Sequence, residues 1–318
     1  MRPTRVAILA LSTPLPLTLH PAAVYLGSLG IGSYSTMESA LNAIARLLTN
    51  GECDAMTLDW AALRYQHTAA VRAALMKKHA PSTVNKMLCA LRRVLKEALK
   101  LDLIEMNHYI KAVDLAPVHG TAGLSGRALS SSEIAALMRV CHEDTTLLGA
   151  RDAALIALLR GAGLRRAEAV NLDFKDFKSG DSSIHIRNGK GGKDRTVYLP
   201  DFALAVLEDW LRIRGRAHGP LLCPIRKGGE LQLRRLTPQA VLFILRKRAV
   251  DAGVSNFSPH DFRRTFCSDL LDSGVDIVTV QKLAGHSNPG VTSKYDRRGE
   301  ETKRQAVQQL DVPYTPRK

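Results

Sequence analysis

Nowhere in the chain do about 18 apolar residues run together, which excludes a helix long enough to cross a bilayer. The nearest approach is Val6-Ala7-Ile8-Leu9-Ala10-Leu11 after Arg2 and Arg5. Pro14 and Pro16 cut it short, no cleavage site follows, and it reads as a segment packing on its own domain, not as a secretion signal. Cysteine is sparse: Cys53, Cys89, Cys141, Cys223 and Cys267 are odd in number, far apart and form no CxxC pair. That argues against a disulfide framework or a zinc site and for reduced thiols inside the cell. Internal repeats and low-complexity tracts are missing too. Acidic residues are the minority charge, and Glu168, Asp173, Asp176 and Asp261 form no obvious carboxylate pair for a catalytic metal, so neither metal nor cofactor is expected.

Positive charge is abundant. Lys and Arg number 45 against 30 Asp and Glu, a net +15 with a sequence pI near 9.8. Such a surplus points to a polyanion, because phosphates neutralised by Lys and Arg release their counterions. The 318 residues exceed the usual size of one core, so two domains are expected. Pro117 to Arg127 holds three glycines, a proline and little apolar periodicity, which suits a linker. The boundaries are therefore drawn at 1–118, a linker at 119–128 and a second domain at 129–318.

Helical patterns dominate the front part. Ser35-Thr36-Met37-Glu38 reads as a capping box opening a helix to about Leu48. From Ser82 to Lys100, apolar residues recur at Val84, Leu88, Leu91, Val94, Leu95 and Leu99, while Lys86, Arg92, Arg93, Lys96 and Lys100 occupy the other face. That basic stripe is either a solvated face or a DNA contact. Past the linker, Ser130 to Glu133 caps a helix to about Val140, and 151–159 reads as another. Residues 182–187 and 195–199 alternate as strands around Asn188-Gly189-Lys190-Gly191-Gly192-Lys193-Asp194, a hairpin with a cationic tip. Helices are expected again over about 201–214, 237–252, 259–273, 276–284 and 300–310. The fold class is mainly α with a small antiparallel sheet.

Six residues of the second part form an ordered set: Arg165, Lys190, His260, Arg263, His286 and Tyr295. Five can donate hydrogen bonds to an anionic phosphoryl group and the sixth carries a hydroxyl able to attack it. Arg165 follows two helix-breaking glycines at the start of a new helix, with Glu168 one turn on to hold it; a plain surface ion pair is the bland alternative. Lys190 sits at a glycine-flanked tip and can give up a proton once desolvated, with Lys193 as its competitor. Pro259 starts a helix on which His260 and Arg263, three apart, share a face with Arg264 beside them. Gly285 stops a helix just before His286, and Tyr295 follows nine residues later. A tyrosine with an ordinary pKa near 10 needs a base or a cationic setting to ionise, and the arginines are expected to supply that setting.

The order Gly-Leu-Arg-x-x-Glu, Gly-Lys-Gly-x-Lys-x-Arg-x-Val, His-x-Phe-Arg-Arg-Thr-Phe, then Ala-Gly-His with Tyr nine residues on, resembles the tyrosine recombinase (phage integrase) family over about residues 128–310. The front half is similar to that family's core-binding domain, most clearly from Ser82-Thr83-Val84-Asn85 through Leu91-Arg92-Arg93, although Asn107-His108 stands where the family has Asn-Pro. The resemblance implies a helical core-binding domain and a catalytic domain clamped around double-stranded DNA. It implies Tyr295 as nucleophile forming a 3′-phosphotyrosyl link, Arg165 and Arg263 on the non-bridging oxygens, and Lys190 protonating the 5′-oxygen. His260 and His286 would complete the cradle, with His260 also a candidate general base towards Tyr295 and Glu168 in support. Lys86, Arg92, Arg93, Lys96, Lys193 and Arg264 are the further DNA-contact candidates. Four copies on two duplexes, joined through the terminal helix, an accessory directionality protein and a cytoplasmic, nucleoid-associated site of action are also implied. With little chain before about residue 20, the expected layout is akin to two-domain Xer-type or transposon-borne enzymes. A type IB topoisomerase and a non-catalytic DNA-binding protein of the same fold are the rival readings. Relaxation of supercoils without a specific site marks the first, and Tyr295→Phe is the discriminator for the second, since adducts that persist in that variant mean Tyr295 is not the nucleophile.

Overall fold

The structure, a computed structural model, describes residues 9–120, 126–187, 194–286, 288–308 and 310. The chain separates into two compact units, Met1–Ala122 and Gly123–Lys318.

The front unit is built from α1 (Pro21–Gly27), α2 (Ile31–Leu48), α3 (Tyr65–Lys78), α4 (Pro81–Lys100) and α5 (Met106–Val113). The central element is α4, which packs against the other four. Its stripe Val84, Leu88, Leu91, Val94 and Leu95 is fully buried, whereas Lys86, Arg93 and Lys96 on the opposite side are exposed, as an amphipathic period dictates. The expected helix start at Ser35 is displaced: α2 begins at Ile31 behind Gly30, and Ser35 lies inside the helix, its carbonyl accepting from the Ser39 hydroxyl at 2.7 Å. Exposed serines are tolerated mid-helix when their hydroxyls turn back on the preceding turn, so the capping signal there was spurious. Leu9, the described end of the early apolar run, is buried, and Ala10 bridges Leu58.

In the second unit α6 (Ser131–Glu143) opens with the expected reciprocal cap between Ser130 and Glu133. It is followed by α7 (Leu147–Gly161), which starts four residues ahead of the expected 151 because the Thr146 hydroxyl accepts from the Leu148 amide. Buried nearly all round from Ala154 to Leu159, α7 is the axis of this core. Next come α8 (Arg166–Asn171), β1 (Phe177–Lys178), β2 (Ser183–Ile186) and β3 (Arg195–Tyr198). The three strands form an antiparallel sheet in the order β1-β2-β3, with Ile184 opposite Val197 and Ile186 opposite Arg195. The remaining helices are α9 (Asp201–Arg214), α10 (Pro238–Asp251), α11 (Pro259–Asp272), α12 (Ile277–Ala284), α13 (Pro289–Thr292) and α14 (Glu300–Val307). No helix among the described residues is long and apolar enough to cross a membrane.

Candidate active site

Local sequence fixes the first cation. Ser258 and Asp261 cap α11 reciprocally, the Ser258 amide donating to Asp261 Oδ2 at 2.8 Å, and Pro259 supplies the first helical φ. Three residues past His260, the Arg263 side chain turns into the unit and is fully buried. Its Nη1 donates to the Gly163 carbonyl at 2.8 Å and its Nη2 to the Ala284 carbonyl, while Nε has no hydrogen-bond partner among the described residues. Burial, and then the Arg165 charge, pulls its pKa down to about 10, so it remains a cation at neutral pH. Carbonyl dipoles satisfy hydrogens but do not cancel a unit charge, so this guanidinium keeps its attraction for an anion.

Arg165 occupies the N-cap of α8. Gly163, at φ +58, makes the turn that precedes it, and a Cβ there would strike the Phe266 ring. Arg165 Nη1 donates to Glu168 Oε1 at 2.6 Å, its amide to Oε2 at 2.9 Å, and its Nη2 to the Gly285 carbonyl at 2.7 Å. The surface-pair alternative fails here, because Glu168 is buried. Burial works to raise the Glu168 carboxyl, but bonds from Arg195, then from the Arg165 amide and guanidinium, outweigh it and hold the group at about 2.

Tyr295 follows α13 in a short helical turn and is buried against Phe266, Cys267 and Leu271. Its carbonyl accepts from the Ser268 hydroxyl at 2.9 Å, and its ring stacks on His286 with centroids 5.8 Å apart. The phenol oxygen lies 3.1 Å from His260 Nε2. Gly285, in the left-handed region at φ +62, ends α12 and turns the chain into His286, whose Nδ1 meets the Thr292 hydroxyl at 2.9 Å. Both histidines are biased towards neutrality. Burial, then Arg263, lowers His260, and burial, then Arg263 and Arg165, pushes His286 down to about 3.

The expected ionisation of Tyr295 by its cationic surroundings is corrected. Burial raises its pKa above the usual 10, Cys267 adds to that, and the pull of Arg263, Arg264 and Arg165 is the smaller effect. The hydroxyl of the free protein is therefore protonated, with a neutral imidazole poised beside it.

Lys190 and Lys193 lie outside the described residues, although the flanking strands pair as the alternation requires. Arg264, half-buried, donates to the Gly126 carbonyl with its guanidinium 5.9 Å from the Tyr295 ring centre, a brace on that ring. Arg92 is also engaged, with its Nε on the Val113 carbonyl at 3.2 Å and its Nη2 on the Leu115 carbonyl. Three contributors carried no assigned role in the sequence reading. Arg195 donates through both terminal nitrogens to Glu168, at 3.0 and 2.7 Å, while Ser268 and Thr292 orient Tyr295 and His286. The alternation of β3 marked Arg195 as a strand residue, and nothing local told its partner.

Comparison with known proteins identifies the family. The phage integrase family matches residues 127–301. Tyrosine recombinase XerA of Pyrococcus furiosus is 31% identical over 186 residues, which span 58% of this chain and 62% of that protein's length. Tyrosine recombinase XerC of Treponema denticola is 30% identical over 235 residues, 69% of this chain and 74% of that protein. Among solved structures, the Tn1549 transposon integrase in complex with a circular intermediate DNA superposes with a TM-score of 0.70, covering 94% of this chain and 100% of that one, at 16% identity, a likeness of fold. The chain belongs to the phage integrase family of tyrosine recombinases.

Proposed function

We propose that this chain is a site-specific DNA recombinase that cuts and rejoins duplex DNA through a 3′-phosphotyrosine intermediate. Tyr295 attacks the scissile phosphorus while His260 Nε2 accepts its proton. Arg165 and Arg263 grip the non-bridging oxygens, where charge builds in the transition state, and His286 donates a further hydrogen bond. The 5′-oxygen leaves with a proton from Lys190. A phosphodiester is exchanged for a phosphotyrosyl bond of similar energy, so joining is the reverse attack by another strand's hydroxyl and needs no ATP. The observation that carries the reading is the 3.1 Å approach of His260 to the Tyr295 hydroxyl, beside a fully buried Arg263 whose hydrogen-bond partners are carbonyls.

Residues 129–318 act as the catalytic domain and 1–118 as the core-binding domain, which meets DNA through the exposed Lys86, Arg93 and Lys96. Four copies assemble on two duplexes in the cytoplasm, at the nucleoid. Each passes its terminal helix to a neighbour, which receives it in an apolar groove of about 630 Å³ lined by Met138, Ile156, Phe202, Phe266 and Leu270. Dimer or cointegrate resolution and insertion of a mobile element both fit this layout, with a directionality protein as an added partner in the second case.

The test is a map of covalent adducts on DNA flanking the gene. The unaltered protein is expected to become linked at one preferred position, and Tyr295→Phe to bind the same DNA without linkage. An adduct on Tyr295→Phe places the nucleophile elsewhere, and supercoil relaxation with no preferred position replaces recombination by a topoisomerase activity.

A further inference from the structure

Arg195 lies at the first position of β3, directly after the cationic loop, and its side chain is almost enclosed, 11% exposed. All three of its nitrogens are engaged. Nη1 and Nη2 take the two oxygens of Glu168, and Nε donates to the Leu283 carbonyl at 3.0 Å. Glu168 in turn accepts the Arg165 amide and guanidinium, and Arg165 Nη2 reaches the Gly285 carbonyl. A ring results, running Arg195, Glu168, Arg165 and the 283–285 segment, which takes Arg165 on the Gly285 carbonyl and Arg195 on the Leu283 carbonyl. It joins three elements far apart in sequence: the start of α8, the root of the hairpin and the end of α12.

Charge accounting gives the ring its purpose. One carboxylate offsets one guanidinium. With Arg195 present, Glu168 serves two cations and its four acceptances are shared between them, so Arg165 keeps charge to offer an anion. With Arg195 gone, the same buried carboxylate would have Arg165 as its remaining cation and would draw that guanidinium into a fully compensated pair, a strong interaction at low dielectric.

We propose that Arg195 is a positioning residue: it occupies Glu168 so that Arg165 stays aimed at the scissile phosphate. This rests on the recombinase reading and adds to it a residue that touches neither DNA nor nucleophile.

The experiment uses the full chain with two nicked synthetic duplexes carrying the cleavage position mapped for the unaltered protein. One has the natural scissile phosphate and the other a methylphosphonate, which lacks one non-bridging negative charge and so demands less of Arg165. On the phosphate duplex at saturation, Arg195→Met is expected to slow adduct formation about a hundredfold, with the Kd for DNA held within about threefold. Arg195→Lys, which keeps charge but loses the two-pronged geometry, is expected to recover less than about a tenth of the lost rate. On the methylphosphonate the Arg195→Met deficit is expected to shrink below about tenfold. A general loss of folding would depress both duplexes alike. Equal deficits on the two duplexes, or an Arg195→Met rate within about threefold of the unaltered protein on phosphate, overturn the proposal. If Arg195→Met does not fold, the phosphate-to-methylphosphonate comparison on Arg195→Lys decides by the same criterion. Failure of the unaltered protein to form any adduct, or adduct formation by Tyr295→Phe, counts against the recombinase reading instead.

Discussion

At the scale of single residues, burial outweighs the arginine charges at Tyr295 and acts together with them at His260. Tyr295 holds its proton more tightly than a free phenol, and His260 is less basic than a free imidazole. Neither group is ionised at neutral pH in the free protein, so in the proposed mechanism the proton moves as the phosphate is attacked. A depressed histidine pKa means that His260 is still neutral where an ordinary imidazole, at about 6.5, is half charged. The acidic limb of adduct formation, measured as the second-order rate constant at limiting protein on mapped DNA so that it reports the free protein, is accordingly expected to have its midpoint below about 6.5. His286, held at about 3, stays neutral through that window and leaves the limb to His260. His260→Asn is expected to remove the limb and slow the plateau by about a hundredfold, the usual worth of a positioned base. A midpoint at or above 6.5, or a limb that survives in His260→Asn, would assign the titration to another group.

At the scale of elements, the active site is a junction of helix ends, and glycine decides whether the ends can meet. Gly163 stands between α7 and α8 in the left-handed region, pressed against Phe266 of α11, and its carbonyl holds Arg263. Gly163→Ala adds backbone strain of about 1 kcal/mol and pushes on a packed ring at about 1–3 kcal/mol more. Denaturant unfolding is expected to show that loss. Adduct formation should fall further than stability does, since Arg263 shifts with α11. Gly180→Ala, with nothing within 4 Å of the added carbon, is the control and should stay within about 0.5 kcal/mol. Similar stabilities for the two variants would show that the junction yields freely. The same junction explains what could be read in the chain beforehand. Pro259, Gly285 and the alternation of β2 and β3 are signals carried by a residue and its near neighbours, and they were legible. The starts of α2 and α7 were not, because serine and threonine serve equally at a cap and inside a turn. The two residues of β1 are too few to show a period. Arg195 escaped because its role depends on Glu168 and Leu283, 27 and 88 positions away. The ionisation of Tyr295 escaped because its sign depends on how deeply the ring is buried.

At the scale of the whole molecule, the second unit leaves apolar side chains exposed at two places that the proposed assembly would bring together. Val307, the last residue of α14, and Leu310 are 61% and 71% exposed, and Phe202, which lines the apolar groove, is 91% exposed. Side chains of this kind gain about 1.5–3 kcal/mol each on full burial, so two or three of them are enough to bias assembly once copies are held side by side on DNA, where their effective concentration is high. The proposed catalytic residues precede the tail, and Arg297 is tied back to Asp269 and Asp272, at 3.6 and 3.4 Å, so the candidate site is braced before α14 begins. Removal of residues 300–318 is therefore expected to leave single-site binding and adduct formation within about threefold of the full chain while abolishing the joining of two duplexes. Phe202→Asp, which puts a charge at the receiving lip and alters nothing in the tail, should reproduce that phenotype. Mixing the two defective proteins gives the sharper outcome. A truncated copy still has an intact groove and a Phe202→Asp copy an intact tail, so a tail passed between copies would find a seat in half of the junctions, and paired complexes should reappear on native gels. A tail folded back onto its own subunit predicts no such complementation, and wild-type recombination by the truncated protein alone would remove the tail from the assembly altogether.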